Sequence, residues 1–201
     1  SFHIHHKYEI YYEIEGSRRY FIEDAAYIVN AGSVVLIGEN QIHKTAALGD
    51  GASSRIVVNF SREYLDKITD MFPEVDFFSF LSEEHNHLLS TITVKQQNHI
   101  HGILQQLLTL QEETSPEGDA LRKMLLATLL LELKELCRQQ QEQGGENVES
   151  PGHTVRHPAD TKCDFFKNHH FHLAITRIRA TIMTEVKLYT KQACRPTGME
   201  V

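Results

Sequence analysis

The first 60 residues alternate apolar and polar side chains with the period of two that strands require. Turn-forming residues break the alternation at Gly16-Ser17, Glu23-Asp24, Ala31-Gly32, Gly38-Glu39-Asn40 and Gly49-Asp50-Gly51. Six or more short strands at that spacing predict a barrel or sandwich. Within the opening run, Ile4, Tyr8, Ile10, Tyr12 and Ile14 share one parity, and His3, His5, Glu9, Tyr11 and Glu13 share the other. Two imidazoles and a carboxylate thus point into one space. A lone His43 follows the apolar stretch Val34 to Ile37, and the spacing predicts that His3, His5, Glu9 and His43 converge inside the barrel.

Behind the strands the period changes to that of a helix. Ser61 reads as an N-cap, with Tyr64, Leu65 and Ile68 on one face and Pro73 as the stop. Residues 74 to 94 are mixed. A helix is predicted from about Val94 to Glu113 and a second from about Asp119 to Gln143, separated by Pro116 and Gly118. Leucines cover well over half the circumference of the second, so two of its sides must be buried. One can pack on the barrel. The other, with Leu126, Leu130 and Leu133, is either a dimer contact or a second monomer face. The expected division is a sensor barrel with its following helix over 1–93, a helical dimerisation segment over 94–143, a Gln- and Gly-rich linker over 144–160, and a last unit over 161–201.

Composition narrows the function. Hydrophobic content of 41% and charged content of 23% are those of an ordinary globular chain, and no apolar run approaches the length of a membrane span. A cytoplasmic protein is expected. Cys137, Cys163 and Cys194 lie far apart and are read as reduced thiols. The formal charge of −7 argues against nucleic-acid binding over the whole surface, although Lys and Arg are denser after Thr154.

The motif H-x-H-x3-E-x6-G, here His3 to Gly16, and the later Gly32 to His43 resemble the paired motifs of the cupin barrel. Gly38 and Asn40 stand where that second motif carries Pro and Gly. The runs HIHHKYEIYYEIEG, RRYFIEDAAYIVNAGSVVLIGENQIHKT and RIVVNFSREYLDKI look more specifically like the sensor domain of AraC-type transcriptional regulators. The likeness covers about the first 90 residues and continues more loosely into the helices. It implies an α+β fold with a cupin-like barrel and an antiparallel helix pair, a small-molecule effector, a homodimer and, at the level of the family, DNA binding through helix-turn-helix units. Residues 161 to 176 resemble the opening helix of that module, but no recognition-helix pattern follows Thr176, so an incomplete module is expected. Glu13 departs from the family pattern by replacing an aromatic at an inward position.

Three readings of the histidine set stay open. The resemblance implies a ligand pocket of His3, His5, Glu9, Tyr11, Glu13 and His43 that requires no cofactor. His3, His5, Glu9 and His43 could instead hold a divalent metal, or form a structural hydrogen-bond network. A metal-dependent cupin enzyme, a dioxygenase or isomerase, is the competing function. The leucine-rich helix pair argues for the regulator, since a small cupin enzyme needs none, and an enzyme is not expected. His6 has the wrong parity and is read as a surface residue. His85, His87, His99 and His101 are read as solvated, and no metal is assigned to His169, His170 and His172.

Overall fold

The computed structural model of the chain describes residues 4–49, 51–145 and 184–191. Six strands come first: β1 (Tyr8–Glu15), β2 (Ser17–Ile22), β3 (Ala25–Asn30), β4 (Val34–Ile37), β5 (His43–Ala47) and β6 (Ser53–Phe60). A short 3-10 turn leads into α1 (Asp66–Met71), and then come β7 (Leu88–Leu89), α2 (Val94–Thr109), α3 (Pro116–Gly145) and β8 (Thr184–Lys191). The five predicted breaks coincide with the turns. Glu23 and Asn40 adopt positive φ, as do Gly16, Gly32 and Gly49.

All pairings are antiparallel. The ladders form one sheet in the order β7-β4-β1-β6-β8 and a second in the order β3-β2-β5. No ladder joins the two among the described residues, which corrects the expected closed barrel to two facing sheets, an arrangement consistent with a cupin-like jelly roll. The chain crosses from one sheet to the other at Gly16 (φ 88°) and again at Gly32 (φ 83°). A β-carbon at Gly16 would also meet the Ala52 carbonyl oxygen at 2.4 Å, so no other residue fits that crossing without a shift.

The two parities of β1 serve two cores. Tyr8, Ile10 and Tyr12 join Leu36, Ile56, Val58 and Phe60 on the outer face of the large sheet, where α2 contributes Ile100, Ile103, Leu104 and Leu107. Tyr11, Val35, Ile37 and Val57 face the small sheet's Tyr20, Ile22 and Val29. Burial on both faces explains why β1 is apolar enough to read as nearly continuous.

The helix pair forms as predicted, with a capping box at the start of α2 in which Thr93 and Gln96 exchange hydrogen bonds. Ser61, by contrast, makes no side-chain cap hydrogen bond. Leu126, Leu130 and Leu133 are wholly buried in the monomer's own core, together with Leu129 and Cys137. They are corrected from dimer residues to core residues, because the sheet's outer face needs that stripe of α3 to cover it. The apolar residues that α3 leaves exposed are Leu121, Met124 and Leu131. Arg122 ties the helix pair together by donating to the carbonyls of Leu110 (2.6 Å) and Glu113 and to the Tyr64 hydroxyl (3.4 Å). Such bonds satisfy carbonyls that the end of a helix leaves without partners.

Of the 144–160 linker and the 161–201 unit, residues 146–183 and 192–201 lie outside the described residues. Residues 184–191, where the sequence suggested no strand, pair along β6 from Thr184 opposite Phe60 to Lys191 opposite Ser53.

Candidate functional site

Strand parity brings the site together from four strands. On β1, Glu9, Tyr11 and Glu13 point between the sheets, with Asn59, Val57 and Arg55 as their register partners on β6. On β2, Arg18, Tyr20 and Ile22 share the opposing face, and His43 opens β5 opposite Ile22. His5 precedes β1. His3 lies outside the described residues.

At one end, His5, Glu9 and His43 offer ligand atoms that all lie within 4.8 Å of one another. His5 Nε2 stands 3.5 Å and His43 Nε2 3.7 Å from Glu9 Oε2. Each imidazole is oriented through its other nitrogen: His5 Nδ1 lies 2.8 Å from the Lys7 carbonyl oxygen and His43 Nδ1 2.9 Å from that of Gln41. Donation from Nδ1 leaves Nε2 as the nitrogen directed at the carboxylate. The Tyr20 hydroxyl donates to Glu9 Oε1 at 2.5 Å. Gly38 shapes this end of the fold, since a β-carbon there would come within 2.4 Å of Ser82 Oγ. Asn40 supplies the positive φ of the same turn.

The electrostatics follow from these contacts. Burial alone would raise the Glu9 carboxyl, but the facing His43, His5 and Tyr20 outweigh it and bring it down to about 2. Burial works against a charged His43, yet Glu9 and the Gln41 carbonyl more than compensate, and its imidazole is raised. Tyr20 is pushed well above the usual phenol range by burial and by the Glu9 carboxylate. This end therefore holds an ionised Glu9 carboxylate facing a His43 imidazole whose charged form it favours.

The other end is built around Glu13, which is 0% exposed. The Tyr11 hydroxyl donates to its Oε2, and Tyr11 meets Tyr20 edge to face at 5.1 Å between ring centroids. Burial raises the Glu13 carboxyl, while Tyr11, Arg18 and Arg55 pull it back. Buried polar atoms on the inner faces of these strands or beside them without a hydrogen-bond partner among the described residues include His5 Nε2, Asn59 Oδ1, Glu13 Oε1 and Ser53 Oγ. An unpaired buried polar atom is costly in a finished core and is what a ligand would satisfy.

Tyr20, Arg18, Arg55 and Asn59 were missed by the sequence reading, although the parity of RRYFI and RIVVNF held the signal. His87 departs from its expected solvation. It is 3% exposed, with Nδ1 3.0 Å from the Leu36 carbonyl oxygen. His6 and His99 are exposed and His101 is half-buried. The side chain of His85 and all of His169, His170 and His172 lie outside the described residues.

A family model described as the AraC-like ligand binding domain matches residues 1–130. The chain belongs to that family. Among curated proteins none matches. A crystal structure of an apo ToxT variant from Vibrio cholerae is similar, with 14% identity and a TM-score of 0.46 over 67% of this chain and 50% of that one. The chain thus spans half the length of that solved relative. Within this domain, the buried carboxylates Glu9 and Glu13 both lie between the two sheets. No helix among the described residues is long and apolar enough to cross a membrane.

Proposed function

We propose that this chain is the effector-sensing and dimerising portion of an AraC-type transcriptional regulator of the cytoplasm and not an enzyme. The observation that carries the sensing role is the inward-facing set of Glu9, His5, His43 and Tyr20, in which His5 Nε2 has no hydrogen-bond partner among the described residues. Such a set inside a mostly apolar space is the usual design of a small-molecule pocket. His3, His5, Glu9, Tyr11, Glu13 and His43 are the proposed contacts, with Tyr20 and Asn59 added. A second copy is the proposed partner of α3, through the exposed Leu121, Met124 and Leu131. DNA recognition is assigned to the family's wider architecture and not to residues 161–201.

The ligand should stabilise the fold by mass action, so a thermal-shift screen of sugars and small acids should find compounds that raise Tm. Their effect should vanish in His43→Ala. A complete screen without a stabiliser, or stabilisers indifferent to His43→Ala, would refute this pocket.

The compact trio of ligand atoms favours one further reading. His5, Glu9 and His43 fit a divalent first-row metal by donor type and by the fixed orientation of their rings. A metal there would supply Lewis acidity and open coordination positions, as a metal-dependent cupin enzyme requires. In that case His5 and His43 would bind through Nε2, and Tyr20 would orient Glu9. Turnover of dioxygen or an organic substrate by protein titrated with metal would favour this reading over sensing.

A further inference from the structure

The polar groups between the sheets are split into two ends. Glu9 and Glu13 are four residues apart on β1, hence about 13 Å along the strand, and the edge-to-face rings of Tyr11 and Tyr20 fill the space between them. The end described by Glu13 therefore cannot share one small ligand atom with the end described by Glu9. It has a different charge pattern as well. Two arginines, Arg18 on β2 and Arg55 on β6, share the inner faces with a single carboxylate at this end.

Arg55 is the direct register partner of Glu13 on β6, and its guanidinium carbon sits 6.0 Å from the centre of the Tyr11 ring. Arg18 reaches in from β2 and donates from Nε to Thr45 Oγ1 at 2.8 Å. The terminal nitrogens of Arg18 have no hydrogen-bond partner among the described residues. Both arginines are half-buried, whereas Glu13 is fully buried and keeps one oxygen unpaired. Burial raises the Glu13 carboxyl while the charges of Arg18 and Arg55 work against it, and burial, followed by the charge of Arg55, disfavours the charge on Arg18. A carboxylate is the group that two inward-facing guanidiniums can hold together. The unpaired Glu13 oxygen needs something different, a hydrogen-bond donor.

We infer that Arg18, Arg55 and Glu13 form a second ligand site, which takes a carboxylate carrying a hydrogen-bond donor on the adjacent carbon, as in a 2-hydroxy acid or an α-amino acid. The ligand carboxylate lies across the guanidiniums, and its hydroxyl or ammonium is directed at Glu13 Oε1. Arg18, held only through Nε, is the side chain that rotates to admit it. The inference rests on the reading that the space between the sheets receives small effectors, and it names the chemistry of one end of that space.

The test uses the full 201-residue chain and follows the arginine Nε–H signals by NMR during titration with glycolate, glycine and acetate. Glycolate, glycine or both should bind and shift the Arg18 and Arg55 signals, and acetate, which lacks the donor, should bind about tenfold more weakly. Preference for glycolate over glycine would assign the donor as a hydroxyl, and the reverse as an ammonium. Arg18→Gln should cost about tenfold for every probe, whereas Glu13→Gln should abolish the preference over acetate. Arg19→Gln, an exposed neighbour on the outer face of β2, should leave all three affinities unchanged. Equal binding of acetate, or no binding by any probe, overturns the inference. Binding that is lost in Glu9→Gln but kept in Arg18→Gln also overturns it, while leaving the sensing role intact at the histidine end.

Discussion

Glu9 shows how a single carboxylate can be stabilising in a place where burial opposes its charge. Its folded value of about 2 lies below the ordinary 4.5, so its contribution is complete above about 4.5 and is lost as the pH falls through the folded value. His43 has the opposite sign. Its raised imidazole contributes below its ordinary 6.5, and that part is lost as the pH rises through the folded value. The pair should therefore stabilise most between about pH 4.5 and 6.5. Glu9→Gln is expected to cost about 1–3 kcal/mol in that window. The difference from the unsubstituted chain should shrink towards acid pH. Chemical denaturation of both chains across pH measures it, and a difference that stays constant with pH would exclude this network.

At the scale of the element, α3 decides which of its many leucines are core. Its buried stripe runs through Arg122, Leu126, Leu129, Leu130, Leu133 and Cys137, while Leu121, Met124 and Leu131 face outward. Neighbouring leucines should thus behave as opposites. Leu130→Ala should destabilise the monomer by about 2–5 kcal/mol through the cavity it leaves. Leu131→Glu combined with Met124→Glu should keep the fold and its Tm while converting a dimer to a monomer. Denaturation and analytical ultracentrifugation separate the two results, and a double variant that sediments like the unsubstituted chain would rule out this face as the interface. The sequence shows that α3 is apolar on more than one side, because composition around a helix is local. Which side meets the sheet depends on the packing of α2 and α3 together.

At the scale of the whole molecule, Cys137 reports on the integrity of the main core. It is buried among residues of the sheet's outer face and the helices, and burial pushes its thiol up to about 12. A thiol so placed reacts only when the core opens. In a chain carrying Cys163→Ser and Cys194→Ser, labelling of Cys137 should follow the global unfolding equilibrium measured by denaturant. Labelling at the rate of an open thiol in native buffer would mean that α3 does not close this core.

The sequence by itself determined the strand and helix periods, the turn positions and the inward parity of His5, Glu9, Tyr11 and Glu13, because these depend only on local geometry. The motif spacing likewise carried the resemblance to the AraC-type sensor, which the family match over residues 1–130 bears out. Only the tertiary structure decided that the strands pair as two sheets and not as a closed barrel, since pairing depends on where Gly16 and Gly32 send the chain. It also decided that Tyr20 completes the Glu9 end, that Arg18 and Arg55 share the inner faces with Glu13, and that His87 is buried. These residues are distant in the chain and meet only where β2 faces β1, where β6 pairs with it, and where the loop before α2 returns to β4. Local pattern carries no information about such meetings, because they are set by the packing of one sheet on the other.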